Sequence, residues 1–280
     1  MTMKEVDLNS VVKFICDRKK EDGGFAQTPF LPHTIEDTFH AISILQQIQQ
    51  NTNSNLINKS INTDKTINYL THSLKLWCNI KTIFQSAYSC RAVGIDLDIL
   101  KTKVKEYFTK TIKNNICSYY YGIMLFNIIN EEFTFPFNNT LIIQNDRYTS
   151  KEVLMLITVR KYYNLPVDIG YLSTWLEKCQ TCDGGFGFYP GTTSYIENCH
   201  FCLKALSLIG SKPIDIAGVY NFILACQTKS GGFARKNNAA PFLDATWHAI
   251  AGLSILNSMH SQDEKRLKNG ISTKSVKQCR

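Results

Sequence analysis

With 280 residues, 44% of them hydrophobic, and a formal net charge of +8, the chain is long enough to bury one sizeable core and basic enough to suit an anionic ligand such as a diphosphate. It holds no run of about eighteen apolar residues, so no transmembrane helix is expected, and no basic stripe interleaved with aromatics, so nucleic acid is not the expected partner. The polar first nine residues argue against a secretory signal, and the ten cysteines, most within apolar helical text, then read as reduced and buried in a cytoplasmic protein.

The first element, residues 6–18, is apolar at helical spacing through Val12, Ile15 and Cys16. Gly23 and Gly24 end it, because glycine accepts positive φ without steric cost, and Pro29 and Pro32 hold the connection extended. Thr34 or Asp37 caps a second helix that runs to about Gln49. Residues 51–64, rich in Asn, Ser and Thr, read as a loop. Helices are expected over 66–76 and 82–93, then over 97–112 and 116–129. Residues 131–139, with Pro136, break the pattern, and a short element at 140–144 pairs with a helix at 151–163. The last two pairs are 168–180 with 195–209, and 214–227 with 243–256, where Pro213 stands as a helix-starting proline should. Residues 261–280 carry a fair share of the excess positive charge and read as a disordered tail, leaving 1–260 as one domain.

A block recurs within these pairs: Asp22-Gly23-Gly24-Phe25-Ala26, Asp183-Gly184-Gly185-Phe186-Gly187 and Ser230-Gly231-Gly232-Phe233-Ala234. Each copy is followed by a short motif, respectively Asp37-Thr38-Phe39-His40-Ala41, Glu197-Asn198-Cys199-His200-Phe201 and Ala245-Thr246-Trp247-His248-Ala249. A repeated helix, Gly-Gly turn and helix means an all-α array of helical hairpins, six here, each needing neighbours to bury its apolar face. Periodicity alone does not say whether the array closes.

The unit from Asn221-Phe222-Ile223-Leu224-Ala225-Cys226-Gln227 through Gly231-Gly232-Phe233-Ala234 to Ile250-Ala251-Gly252-Leu253-Ser254 resembles the last full repeat of protein prenyltransferase β subunits, the geranylgeranyltransferase type above all. The fifth unit is similar to theirs, as are Gln85-Ser86-Ala87-Tyr88-Ser89-Cys90, Arg147-Tyr148-Thr149 and Pro32-His33. The resemblance spans roughly residues 6–256. It implies an α/α toroid in which six inner helices point their N-termini at one end of a central funnel. The funnel would hold an isoprenoid diphosphate between aromatic walls and basic side chains, and zinc would activate a cysteine thiolate on a protein substrate. A helical-repeat α subunit is the partner this resemblance implies.

Carried over residue by residue, the family's zinc-binding Asp-x-Cys falls on Glu197 and Cys199, while its zinc-binding His falls on Ala245, which cannot bind metal. His248, one turn further along the same face, or His200, beside Cys199, could complete a repaired site. The family's diphosphate-binding arginine in the second repeat falls on the neutral Gln85. A second resemblance, of Ile35-Glu36-Asp37-Thr38 to the acidic motif of class II terpene cyclases, implies a general acid at Glu36. A carboxyl in an apolar funnel would have the raised pKa such an acid needs. The alternative is that Glu36 and Asp37 complement a helix dipole.

Other constellations admit two readings each. Cys179-x2-Cys182 followed by Cys199-x2-Cys202 matches four-cysteine zinc spacing, yet Cys179-Gln180 recurs as Cys226-Gln227 before the next turn, which points to packing. His40, His200 and His248 share one place in their units and would be neutral imidazoles facing a ligand or metal. Tyr119, Tyr120, Tyr121, Phe126 and Tyr148 would line an isoprenoid pocket or pack a core. Arg147 and Lys151, near an inner-helix start, would meet a diphosphate. No P-loop, dinucleotide fingerprint or nucleophile elbow is present. The leading expectation is prenyl transfer to a cysteine thiol. Glu197, Cys199 and His248 would bind zinc, and His200, Arg147 and Lys151 would serve the diphosphate. Its rivals are a cyclase acting through Glu36 or Asp37 with His40, and a non-catalytic binding toroid, which Ala245 and Gln85 support.

Overall fold

The structure, a computed structural model, describes residues 6–52, 56–61, 64–76, 79–111, 115–136 and 148–275. Twelve helices lie among them: α1 Leu8–Cys16, α2 Ile35–Thr52, α3 Leu56–Ser60, α4 Asp64–Ser73, α5 Ile80–Ala92, α6 Asp98–Thr111, α7 Ile116–Ile128, α8 Ser150–Tyr162, α9 Ile169–Lys178, α10 Ile196–Ile209, α11 Ile216–Ala225 and α12 Leu243–Ser275. Eleven answer to expected elements. The short α3 interrupts the stretch 51–64 that reads as a loop, and the expected element at 140–144 lies outside the described residues. α12 runs on to Ser275, through a segment that reads as a disordered tail.

Local chemistry starts these helices where it should. Asp7, Asn79, Asn115 and Asp168 each accept a hydrogen bond from the backbone N–H three residues on, filling one of the orphan donors of a helix N-terminus. Thr149 and Glu152 form a reciprocal capping box at α8.

The helices form an α/α toroid. α2, α5, α7, α8, α10 and α12 pack each against the next, and α12 packs back on α2, so the inner ring is closed. α1, α4, α9 and α11 back the ring from outside, and α6 joins them through Phe108, whose ring meets Phe126 of α7 at 5.4 Å. The Gly-Gly-Phe turns explain the closure. Gly23, Gly184 and Gly231 have φ of +104°, +87° and +92°, and a Cβ on each would lie 2.4, 2.3 and 2.1 Å from the carbonyl oxygens of Lys65, Gly218 and Ser10. Each turn therefore seats on the outer helix of the next unit, α4, α11 and, for the last unit, α1 of the first. Gln180 ties one such joint, its Nε2 donating to Asp215 O at 2.8 Å and its Oε1 accepting from Asp215 N at 3.0 Å. The turn phenylalanines Phe25, Phe186 and Phe233 are fully buried. Phe25 N donates to Thr38 Oγ1 at 3.0 Å and Phe233 N to Thr246 Oγ1 at 2.9 Å, which pins each turn to the inner helix that follows it.

Candidate functional site

Six parallel inner helices each turn one stripe toward the ring axis, because residues three and four apart share a helix face. The second helical residue supplies Glu36, Lys81, Lys151 and Asp244 at the N-terminal rim. One turn on come Phe39 and His40, Phe84 and Gln85, Tyr120 and Tyr121, Leu154 and Met155, His200 and Phe201, and Trp247 and His248. A further turn adds Ser43, Tyr88, Met124 and Lys204. Together they enclose a cavity of about 290 Å³, at the lower end of the roughly 300–1,000 Å³ typical of small-molecule sites.

Residues 1–78 and 96–279 match the sequence profile of the prenyltransferase alpha-alpha toroid domain. The chain belongs to this family. No curated protein matches it in sequence.

The centre of the prenyltransferase toroid is occupied by Trp247. Its indole lies 5.6 Å from the ring of Phe39, 5.1 Å from His40, 5.0 Å from His200 and 4.7 Å from His248, and its Nε1 donates to Ser43 Oγ at 2.9 Å. Tyr88 donates its hydroxyl to Gln46 Oε1 at 2.7 Å. The Nδ1 atoms of His200 and His248 are 2.9 Å apart, which is one hydrogen bond between two neutral imidazoles. Burial pushes His40 down to about 4 and His200 down to about 3, and burial followed by the neighbouring imidazoles holds His248 well below its ordinary value. The three rings are thus uncharged at neutral pH. His40 Nδ1 is buried without a hydrogen-bond partner.

At the rim, Lys81 Nζ donates to Glu36 Oε1 at 2.5 Å. Burial raises the pKa of Glu36, but the Lys81 hydrogen bond and charge, with a hydrogen bond from Gln85, outweigh it and hold the carboxyl below its usual range. Glu36 is therefore an ionised partner of Lys81, which corrects the expectation of a protonated acid there. Asp37 does not line the cavity. Its backbone N–H donates to Thr34 Oγ1 at 3.0 Å and its Oδ2 accepts from that hydroxyl at 2.7 Å, so it completes the first turn of α2. Asp244 is held by Arg235 at 2.8 Å and by Gln27 Nε2 at 2.8 Å.

Of the residues singled out from sequence, Glu36, His40, Gln85, Tyr120, Lys151, His200 and His248 come together around one cavity. Tyr148 packs against the hydrophobic core instead. Tyr119 and Phe126 join Phe133 in an aromatic cluster, with Tyr119 donating to Pro136 O at 2.8 Å. Arg147 lies outside the described residues. Trp247, Lys81 and Lys204 carried no role in the sequence reading. The signal that finds Trp247 is its register, since it takes the place in its unit that Phe39 takes in the first.

The residues present do not fit the zinc site that the resemblance implies. Among the described residues no group of three His, Cys, Asp or Glu side chains could hold a metal. Cys199 is wholly buried and occupies the position of Thr38 and Thr246, accepting the backbone N–H of its own turn phenylalanine, Phe186. Burial pushes its thiol far up, so it is a protonated pin for the turn. Glu197 Oε2 is buried without a partner, and burial raises its carboxyl. His248 is turned to His200. Nor do four cysteines converge: Cys202, wholly buried, bonds with Cys179 and Ser150, while Cys182 is exposed.

Proposed function

We propose that this prenyltransferase toroid binds a prenyl-diphosphate-like ligand, with its hydrocarbon in the ring cavity and its diphosphate at the N-terminal rim. The observation that carries the reading is the single aromatic-walled cavity, lined by all six inner helices and rimmed by Lys81 and Lys151. Both halves of the ligand are needed. Ten buried carbons contribute on the order of 8 kcal/mol at ~0.8 kcal/mol per CH2, while association costs on the order of 4–15 kcal/mol. The hydrocarbon alone therefore binds weakly, and the rim supplies the remainder through lysine charge and the positive ends of the helix dipoles.

Prenyl transfer to a protein thiol, with the acceptor or a helical-repeat partner docked at this rim, is the chemical extension of the proposal. The donor set of Glu197, buried Cys199 and Ala245 favours binding without zinc-assisted transfer, and no step is routed through a metal. Titration calorimetry with farnesyl diphosphate, joined to native mass spectrometry for metal, lipid and partner content, tests the reading. One equivalent should bind, with affinity about tenfold weaker in Lys151→Ala, a change of ~1.4 kcal/mol. No binding at millimolar ligand sinks the proposal. A labelled prenyl group that appears on a cysteine peptide adds turnover to it.

A further inference from the structure

We propose that Trp247 sets the upper length of the hydrocarbon, so that the native lumen takes a ten-carbon prenyl chain in preference to a twenty-carbon one; this rests on the binding reading above. Trp247 belongs to α12, but its indole reaches both neighbours in the ring, packing against His200 of α10 and against Phe39 and His40 of α2. Its N–H is committed to Ser43 across the seam between the last unit and the first. Swinging the ring aside would separate a donor from its acceptor in a largely apolar lumen and strip the indole of packing on three sides. The indole is thus a fixed part of the wall.

The space it leaves is about 290 Å³. At roughly 30 Å³ for each water-sized group, that space holds about ten carbons. A twenty-carbon chain needs about twice as much. Replacing Trp247 by alanine removes the nine heavy atoms of the indole ring system, which by the same count roughly doubles the lumen. The closed inner ring limits how far its helices can collapse into the gap.

The test is the affinity of geranyl, farnesyl and geranylgeranyl diphosphate for the full chain, for Trp247→Ala and for Trp247→Phe, each checked for native helicity by circular dichroism. The native protein should bind the ten-carbon ligand at least tenfold more tightly than the twenty-carbon one. Trp247→Ala should reverse that order, and Trp247→Phe, which keeps the wall filled if the alanine variant fails to fold, should move the optimum to fifteen carbons. An order unchanged by either substitution, or a native preference for twenty carbons, overturns the inference and leaves the binding reading standing. Absence of binding by all three ligands to the native protein removes both.

Discussion

Replacing Gly231 by alanine tests ring closure at its most exacting contact. Two costs arise. The first is conformational: at φ +92° an L-residue sits in the left-handed region at a cost of roughly 1–2 kcal/mol. The second is steric: the new Cβ would stand 2.1 Å from Ser10 O and 2.3 Å from Ser10 C, backbone atoms that cannot rotate away. Comfortable C···O approach is about 3.3 Å or more, so the turn and α1 must part by about an ångström, an overpacking penalty of ~1–3 kcal/mol. The sum, roughly 2–5 kcal/mol, is a large part of the ~5–15 kcal/mol that holds a typical protein folded. Gly191 is the control: its φ is +83°, yet a Cβ there meets nothing within 4 Å, so Gly191→Ala incurs only the first cost. At ~2–4 °C per kcal/mol for a chain somewhat smaller than this, thermal unfolding followed by circular dichroism should show Gly231→Ala melting about 5–15 °C below the native protein. Gly191→Ala should lose clearly less. Equal losses would mean that the last turn does not seat on α1, and the account of closure would fail.

Stability should also fall as the solution is acidified. The unfolded chain takes up protons at its histidines below about pH 6.5, whereas folded His40 and His200 resist protonation until about 4 and about 3. The unfolded state therefore binds more protons across that window and stability declines with falling pH. For buried His40 the loss approaches about 3 kcal/mol at the acid end, readable as a drop in urea midpoint that is shallower in His40→Phe. Glu36→Gln should leave prenyl diphosphate binding intact or raise it a few-fold, because Lys81 is released from its carboxylate. Abolition of a cyclisation activity by the same change would instead restore the general-acid reading. Cys199→Thr should be nearly neutral, within about 1 kcal/mol, because threonine already fills that place at Thr38 and Thr246. A loss of bound zinc in the variant, measured by elemental analysis, would contradict the turn-pinning role.

Much of the architecture was legible because its causes are local. The Gly-Gly turns need positive φ, the Asp and Asn caps bond three residues ahead, and the apolar stripes follow helical spacing, so the hairpins of the array can be read unit by unit. Even the roster of cavity residues was partly accessible, since His40 and His248 fall at the same register of their units. The charge state of Glu36 was not, because the lysine that ionises it stands 45 residues away on a different helix. Cys199 misled for a related reason: its neighbours in sequence look like metal ligands, and only its packing against Phe186 shows what the thiol holds.

The sequence by itself therefore determined an all-helical array of hairpins, its turns and the helix faces that are apolar, since each depends on residues within a few positions of one another. Tertiary structure alone decided that the ring closes, that Glu36 is a carboxylate and that Trp247 fills part of the lumen. Those outcomes depend on contacts such as Trp247 to Ser43, 204 residues apart, whose partners no local pattern specifies.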